Sequence, residues 1–211
     1  FVETVKSPHL LQMHSGSVDR ERLQNFVQQH SEIASWQVTD FVNVEGSAIR
    51  INEKDSLQDS SQDNGFSSQN QNFDFLLDQY NRPAQPQPGQ VYIPLYYYNS
   101  GKIKIGDQIR IGKLQLTVQG YIRDAQMNAG LVSSKRFLIS QADLDTLKKE
   151  AFASNENLIA FRVHKLSQIS AIEQAYKNAE LESNGPPMIT YPTIKMINGF
   201  NDALVILVMG L

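Results

Sequence analysis

The chain has 211 residues, 41% hydrophobic and 19% charged, enough for one large domain or two small ones with real cores. Its net charge is -3 with no basic stripe, which argues against nucleic acid as a partner. It has no cysteine, which excludes disulfide staples and thiolate metal sites without fixing a compartment.

The opening "FVETVKSPHL" lacks the basic start and apolar core of a signal peptide. "HLLQMH" suits a strand. Ser17 stands where it would cap a helix over 18–30, with Asp19 and Glu21 in the first turn, where acidic groups favour the helix dipole. Leu23, Phe26, Val27 and His30 recur at helical spacing and mark its buried face. "IASWQVTDFVNVEG" alternates as a strand, Gly46 reads as a turn, and "AIRI" as a strand returning in a hairpin.

Residues 52–72, "NEKDSLQDSSQDNGFSSQNQN", hold only Leu57 and Phe66 as large apolar residues. Such a composition predicts a long exposed loop, pinned at most by Phe66. "FDFLLDQY" predicts one or two apolar helical turns, and "NRPAQPQPG" a stiff extended connector. From Val91 to Ile122 the pattern is two-fold, with turns at Gly101, Gly106-Asp107 and Gly112, as in a small antiparallel β unit.

"FLIS" at 137–140 is a further strand, and Ser140 with Asp143 forms a capping-box pattern before Leu144 and Leu147. "NLIAFRVH" is a strand. Ser167 then caps a helix over 168–181 carrying Ile169, Ile172, Ala175, Tyr176 and Ala179, and "MITY" is a last strand. A strand, helix, strand unit therefore occurs near each end, with the three strands "HLLQM", "IASWQVTDF" and "NLIAFRVH" expected in one sheet.

The run from Ala203 to Leu211 has no charge and no hydrogen-bonding side chain. Two readings fit it: a C-terminal core helix or strand, or one end of a membrane helix, which needs about 20 residues to span. The proline-free stretch after Pro192 predicts a helix from Thr193 to Leu211 outside the globular core.

Catalytic chemistry is hard to find. No two of His9, His14, His30 and His164 share a face by spacing, and a metal site needs three or four converging ligands. "SSKR" is not S-x-x-K, and "GKIKIG" is not a P-loop. Asp74 and Asp78 read as a solvated helix edge rather than a working carboxylate pair. Between two strands, "GYIRDAQMNAGLVSSKRFLIS" gathers Arg123, Asp124, Met127, Asn128, Lys135 and Arg136. An ordinary loop accounts for it; so does a charged junction that fixes two parts of the molecule together or contacts a partner. No catalytic, cofactor-binding or metal residues are assigned.

The stretch "GDQIRIGKLQLTVQGYIRD" resembles a pattern in the extracytoplasmic domains of MacB/FtsX-type ABC transporter permeases. "SSKRFLISQADLDTL" resembles the strand and short helix that follow it, "DNGFSSQNQNFDFLLD" a stretch of Gram-positive members, and "PHLLQMHSGSVD" the region after their first transmembrane helix. The order of the segments carries the weight.

The resemblance implies an α+β fold. A porter-like α/β part, 1–48 and 136–193, is split by a β-rich sabre-like part, 49–135, with the polar loop 52–72, and a juxtamembrane or transmembrane helix starts at 194–211. It implies a non-enzymatic extracellular domain at the cell membrane, anchored through Ala203–Leu211. Its partners would be a cytoplasmic ABC ATPase subunit or domain, a second permease copy, and a peptide, lipid or protein substrate. The rival readings are a regulator of an extracellular cell-wall hydrolase and a membrane-anchored binding module or adhesin.

Overall fold

A computed structural model describes residues 2–124, 127, 134–182 and 189–190. The expected helix over 193–211 lies outside them. No helix among the described residues is long and apolar enough to cross a membrane. The described residues form a mixed α/β structure in two compact units. One comprises Val38–Leu158, Ser15–Ser17 and the residues before Pro8; the other comprises Pro8–His14, Val18–Gln37 and the described residues from Ile159 on.

The second unit holds the expected strand, helix, strand pattern. Strand β1 (Leu10–Ser15) leads to helix α2 (Arg20–Gln29), which follows the short α1 (Val2–Val5) of the first unit. Asp19, not Ser17, caps α2: its carboxylate accepts from the Arg22 amide at 3.0 Å. The long strands β2 (Ile33–Val44) and β10 (Ser154–Val163) each contribute one part to this unit. Helix α5 (Ile169–Asn178) buries Ile169, Ile172 and Tyr176 as its spacing predicted, but it begins from a 3-10 turn at Leu166–Gln168, so Ser167 is not its cap. Tyr176 meets Phe26 and Phe161 edge to face, and its hydroxyl donates to Gln12 Oε1 at 2.6 Å. Strand β11 (Ile189–Thr190) pairs with β1.

The first unit is built on one sheet whose strands come from distant parts of the chain. They are β3 (Arg50–Ile51), β4 (Asp55–Ser56), β5 (Asp63–Ser67), β6 (Gln90–Pro94), β7 (Gln108–Ile111), β8 (Leu114–Ile122) and β9 (Ser134–Ile139), together with the end of β2. The order is β2-β5-β9-β6-β8-β7-β3-β4. In β8, Leu114, Leu116 and Val118 alternate with exposed Gln115 and Gln119, and these apolar residues join Phe66, Ile93, Phe137 and Ile139 in the core. Helix α4 (Gln141–Leu147) covers that face with Leu144 and Leu147, and Ser140 caps it as expected, accepting from the Asp143 amide at 3.1 Å.

Several local expectations change here. "VYIPLYYY" is half strand and half helix: β6 stops at Pro94, and α3 (Leu95–Asn99) follows. β6 pairs parallel with β8, so this unit is mixed rather than antiparallel. "AIRI" does not return on β2, because β3 pairs with β4 and β7.

The largest difference is the polar stretch 52–72. It is not an exposed loop: β5 lies inside the sheet, antiparallel to β2 through Val42↔Phe66 and parallel to β9 through Phe66↔Phe137. Its polar residues are affordable because they are partnered. Tyr97 of α3 donates its hydroxyl to buried Asn64, and the same oxygen lies 2.8 Å from Ser60 Oγ. Gly65 is required because a Cβ there would run into the Phe41 ring. Residues 42–44 thus pair with 64–66, and 63–67 with 134–138.

Candidate functional site

β9 carries Lys135 and Arg136 next to each other, and alternation sends them to opposite faces of the sheet. Both are buried, at 0% and 2% exposure. A buried guanidinium demands anions, and Arg136 has two. Its Nε and Nη2 donate to Asp124 Oδ2 and Oδ1 at 2.8 and 3.0 Å. Its Nη1 and Nη2 donate to Asp74 Oδ2 and Oδ1 at 3.0 and 3.4 Å. The planar fork is thus held twice, with a geometry that Lys would not reproduce.

Asp124 follows β8, and its Oδ1 also accepts from the Met127 amide at 3.2 Å. Asp74 comes from residues 69–84, a strap lying over this face of the sheet. "FDFLLDQY" in the strap forms no helix; Leu77 instead makes isolated bridges to Pro83 and Arg123. The strap is braced by its own polar side chains. Gln69 Nε2 donates to the Leu76 and Ala84 carbonyls at 2.8 and 2.9 Å. Asn70 Nδ2 donates to the Asp74 carbonyl at 2.6 Å and to its carboxylate at 3.2 Å. Asp78 accepts from the Tyr80 and Arg82 amides and from the Arg82 guanidinium. Asp74 and Asp78 are therefore not a solvated helix edge: each is a buried acceptor with its own arginine.

Burial raises the Asp74 carboxyl to about 6; the charge of Arg136 opposes the rise and that of Asp124 adds to it. Burial works against the charge on Arg136, but the two aspartates hold it above its ordinary value. Burial lowers Lys135, against Asp124 and Asp63, and its ammonium lies 5.2 Å from the Tyr96 ring centroid.

Of the six residues singled out in the sequence, Asp124, Met127 and Arg136 meet directly. Arg123 bridges Leu77 through its backbone and reaches Asn81 with its side chain. Lys135 sits on the other face, and Asn128 lies outside the described residues. All of the described members belong to the first unit. Sequence reasoning missed Asp74 and Asn70. The available signal was chemical: Arg136 lies in an apolar strand, and Asp74 lies between Phe73 and Phe75. Among the described residues no group of three or more His, Asp or Glu is placed to hold a metal ion.

No family model matches the chain, and no curated protein matches it. Among solved structures it is similar to the extracellular domain of the noncanonic ABC-type transporter YknZ from Gram-positive bacteria. The identity is 13%, with 86% of this chain and 98% of that one covered, at a TM-score of 0.43. It is similar to the periplasmic region of MacB from Actinobacillus actinomycetemcomitans at 11% identity, covering 94% and 95% of the two chains, with a TM-score of 0.43. A domain of a permease protein from Porphyromonas gingivalis is similar at 11% identity over 85% and 88%, with a TM-score of 0.40.

Proposed function

We propose that this chain is the extracellular domain of an ABC transporter permease of the MacB/FtsX type. It carries out no covalent chemistry and couples ATP hydrolysis in the cytoplasm to export, extraction or mechanical signalling outside the membrane. The observation that supports this reading is the order of the segments that carry the family resemblance. "GDQIRIGKLQLTVQGYIRD" folds as β7 and β8, and residues 134–147 of "SSKRFLISQADLDTL" as β9 and α4, all of them elements of the first unit. In this reading the partners are a cytoplasmic ATPase subunit or domain, a second permease copy, and a peptide, lipid or protein substrate. The cell membrane is reached through Ala203–Leu211.

The absence of cysteine from these 211 residues makes the test clean. Ser100, exposed after α3, is replaced by cysteine in the parent protein, with any cysteine elsewhere in the parent removed. Intact cells are treated with a membrane-impermeant maleimide, and the parent is then purified. Labelling of intact cells together with co-purification of an ATPase is expected. Labelling only after lysis overturns the extracellular placement. Outside labelling without an ATPase favours the anchored binding module, and capture of a cell-wall hydrolase favours the regulator.

A further inference from the structure

The strap holds to the first unit by apolar burial and by polar ties. Its apolar residues Phe73, Leu76, Leu77 and Ala84 are buried, and Leu76 and Ala84 pack with Ile122 and Leu138, with Tyr92 beside them. The opposite face of the same sheet carries the main core. Polar ties join it to Arg123 at Leu77 and Asn81, and one residue, Asp74, joins it to two other segments at once. Through its side chain Asp74 binds Arg136 of β9, and through its backbone amide it donates to the Lys6 carbonyl at 2.9 Å. The next amide, of Phe75, donates to the Val5 carbonyl at 2.9 Å, and the Lys6 ammonium lies over the Phe75 ring. Both sides of this junction have left-handed backbone at a non-glycine residue, Lys6 at φ 50° and Asp74 at φ 58°. Such conformations persist only where surrounding contacts hold them.

We propose that residues 69–84 are a latch that opens and closes as one body. Asp74 is its catch, gripping Arg136 in the sheet and the leading segment 5–6 at once. Gln69, Asn70 and Asp78 make the strap stiff enough to move together, because each ties separated parts of it to one another. Opening at Asp74 therefore frees the leading segment and uncovers Arg136 in the same event. This holds whether or not the chain is a permease domain, since every residue involved lies in the first unit.

The catch responds to pH. The titratable groups facing the Asp74 carboxyl are Arg136 from β9 and Asp124 after β8; Asn70 faces it from the strap itself. In the closed latch burial raises Asp74 to about 6, whereas once opened to water it returns toward 3.8. A group raised in the closed form binds its proton there more readily, so closure is tightest at acid pH and weakens as pH rises through about 6.

The test is residue-resolved hydrogen exchange on the 211-residue chain at pH 4.5 and 7.5, corrected for intrinsic rates. The amides of Asp74, Phe75 and Leu77, whose acceptors lie outside the strap, are expected to share one opening constant. That constant should rise about tenfold or more between the two pH values, and at both it should exceed the opening constants of Ile93 and Leu116, which report unfolding of the core. Asp74→Asn, which tolerates the left-handed backbone, should keep a shared constant but abolish its pH step. If that variant does not fold, the wild-type series decides. Separate opening constants for Asp74–Phe75 and for Leu77 overturn the single latch. A shared constant that is flat with pH overturns Asp74 as its catch, as does a pH step that survives in Asp74→Asn.

Discussion

Arg136 concentrates the electrostatics of the first unit: a fully buried cation between Asp74 and Asp124, each bound by two of its nitrogens. Removing one partner of a buried pair leaves an uncompensated charge. Arg136→Met is expected to lose about 3–5 kcal/mol in urea denaturation. Adding Asp74→Asn and Asp124→Asn should recover part of the loss, because the two stranded carboxylates are then gone. A loss under about 1 kcal/mol would mean that the cluster is solvated.

His9 makes the opposite pH prediction to Asp74. Its Nδ1 accepts from the Val163 amide at 2.9 Å, which requires the neutral ring, and burial followed by Arg162 lowers it to about 4. Its contribution is present above about pH 6.5 and is lost as pH falls toward 4. The stability difference between wild type and His9→Gln should shrink from pH 7.5 to pH 4.5. A constant difference would show that the ring does not titrate in this range.

At this scale the sequence revealed half of the cluster. Arg136 and Asp124 were visible as charges flanked by apolar strands. Asp74 was not, because "FDFLLDQY" read as helix and its acid as solvated. The strap's shape is set by Gln69, Asn70 and Asp78 binding backbone groups, a use of polar side chains that hydrophobic periodicity does not register.

Among the elements, α4 is the one whose start the sequence placed well. Ser140 satisfies the Asp143 amide, and Ser140→Ala should cost about 0.5–2 kcal/mol by thermal unfolding. A cap is local, so a four-residue window suffices to see it. β5 is the counter-case. Its central position depends on Gly65 admitting the Phe41 ring and on Tyr97 serving Asn64, across 24 and 33 positions of chain. Gly65→Ala is expected to destabilise the chain by about 1–3 kcal/mol through overpacking, and Phe41→Leu in the same chain should relieve part of that. An unchanged urea midpoint for Gly65→Ala would show that Phe41 is free to move aside.

Across the first unit, strand order sets where stability resides. β9 and β6 are flanked on both sides, whereas β4, two residues long, ends the series. Hydrogen exchange should find the β6 and β9 amides that bond to neighbouring strands the most protected, and those of β3 and β4 opening first. Equal protection across these strands would contradict the order.

What the sequence determined by itself was local or cumulative: the alternation of β8, the buried faces of α2 and α5, the Ser140 cap, a mixed α/β composition, and a segment order resembling a permease domain. Each depends on residues within a turn or two of one another, or on their succession along the chain. Only the tertiary structure decided that a polar stretch becomes a central strand, that β6 and β8 run parallel, and that Asp74 answers Arg136 from 62 positions away. A polar side chain is compatible with solvent or with burial, and the difference lies in whether a partner is there to receive it. That partner comes from elsewhere in the chain, where neither composition nor periodicity can point.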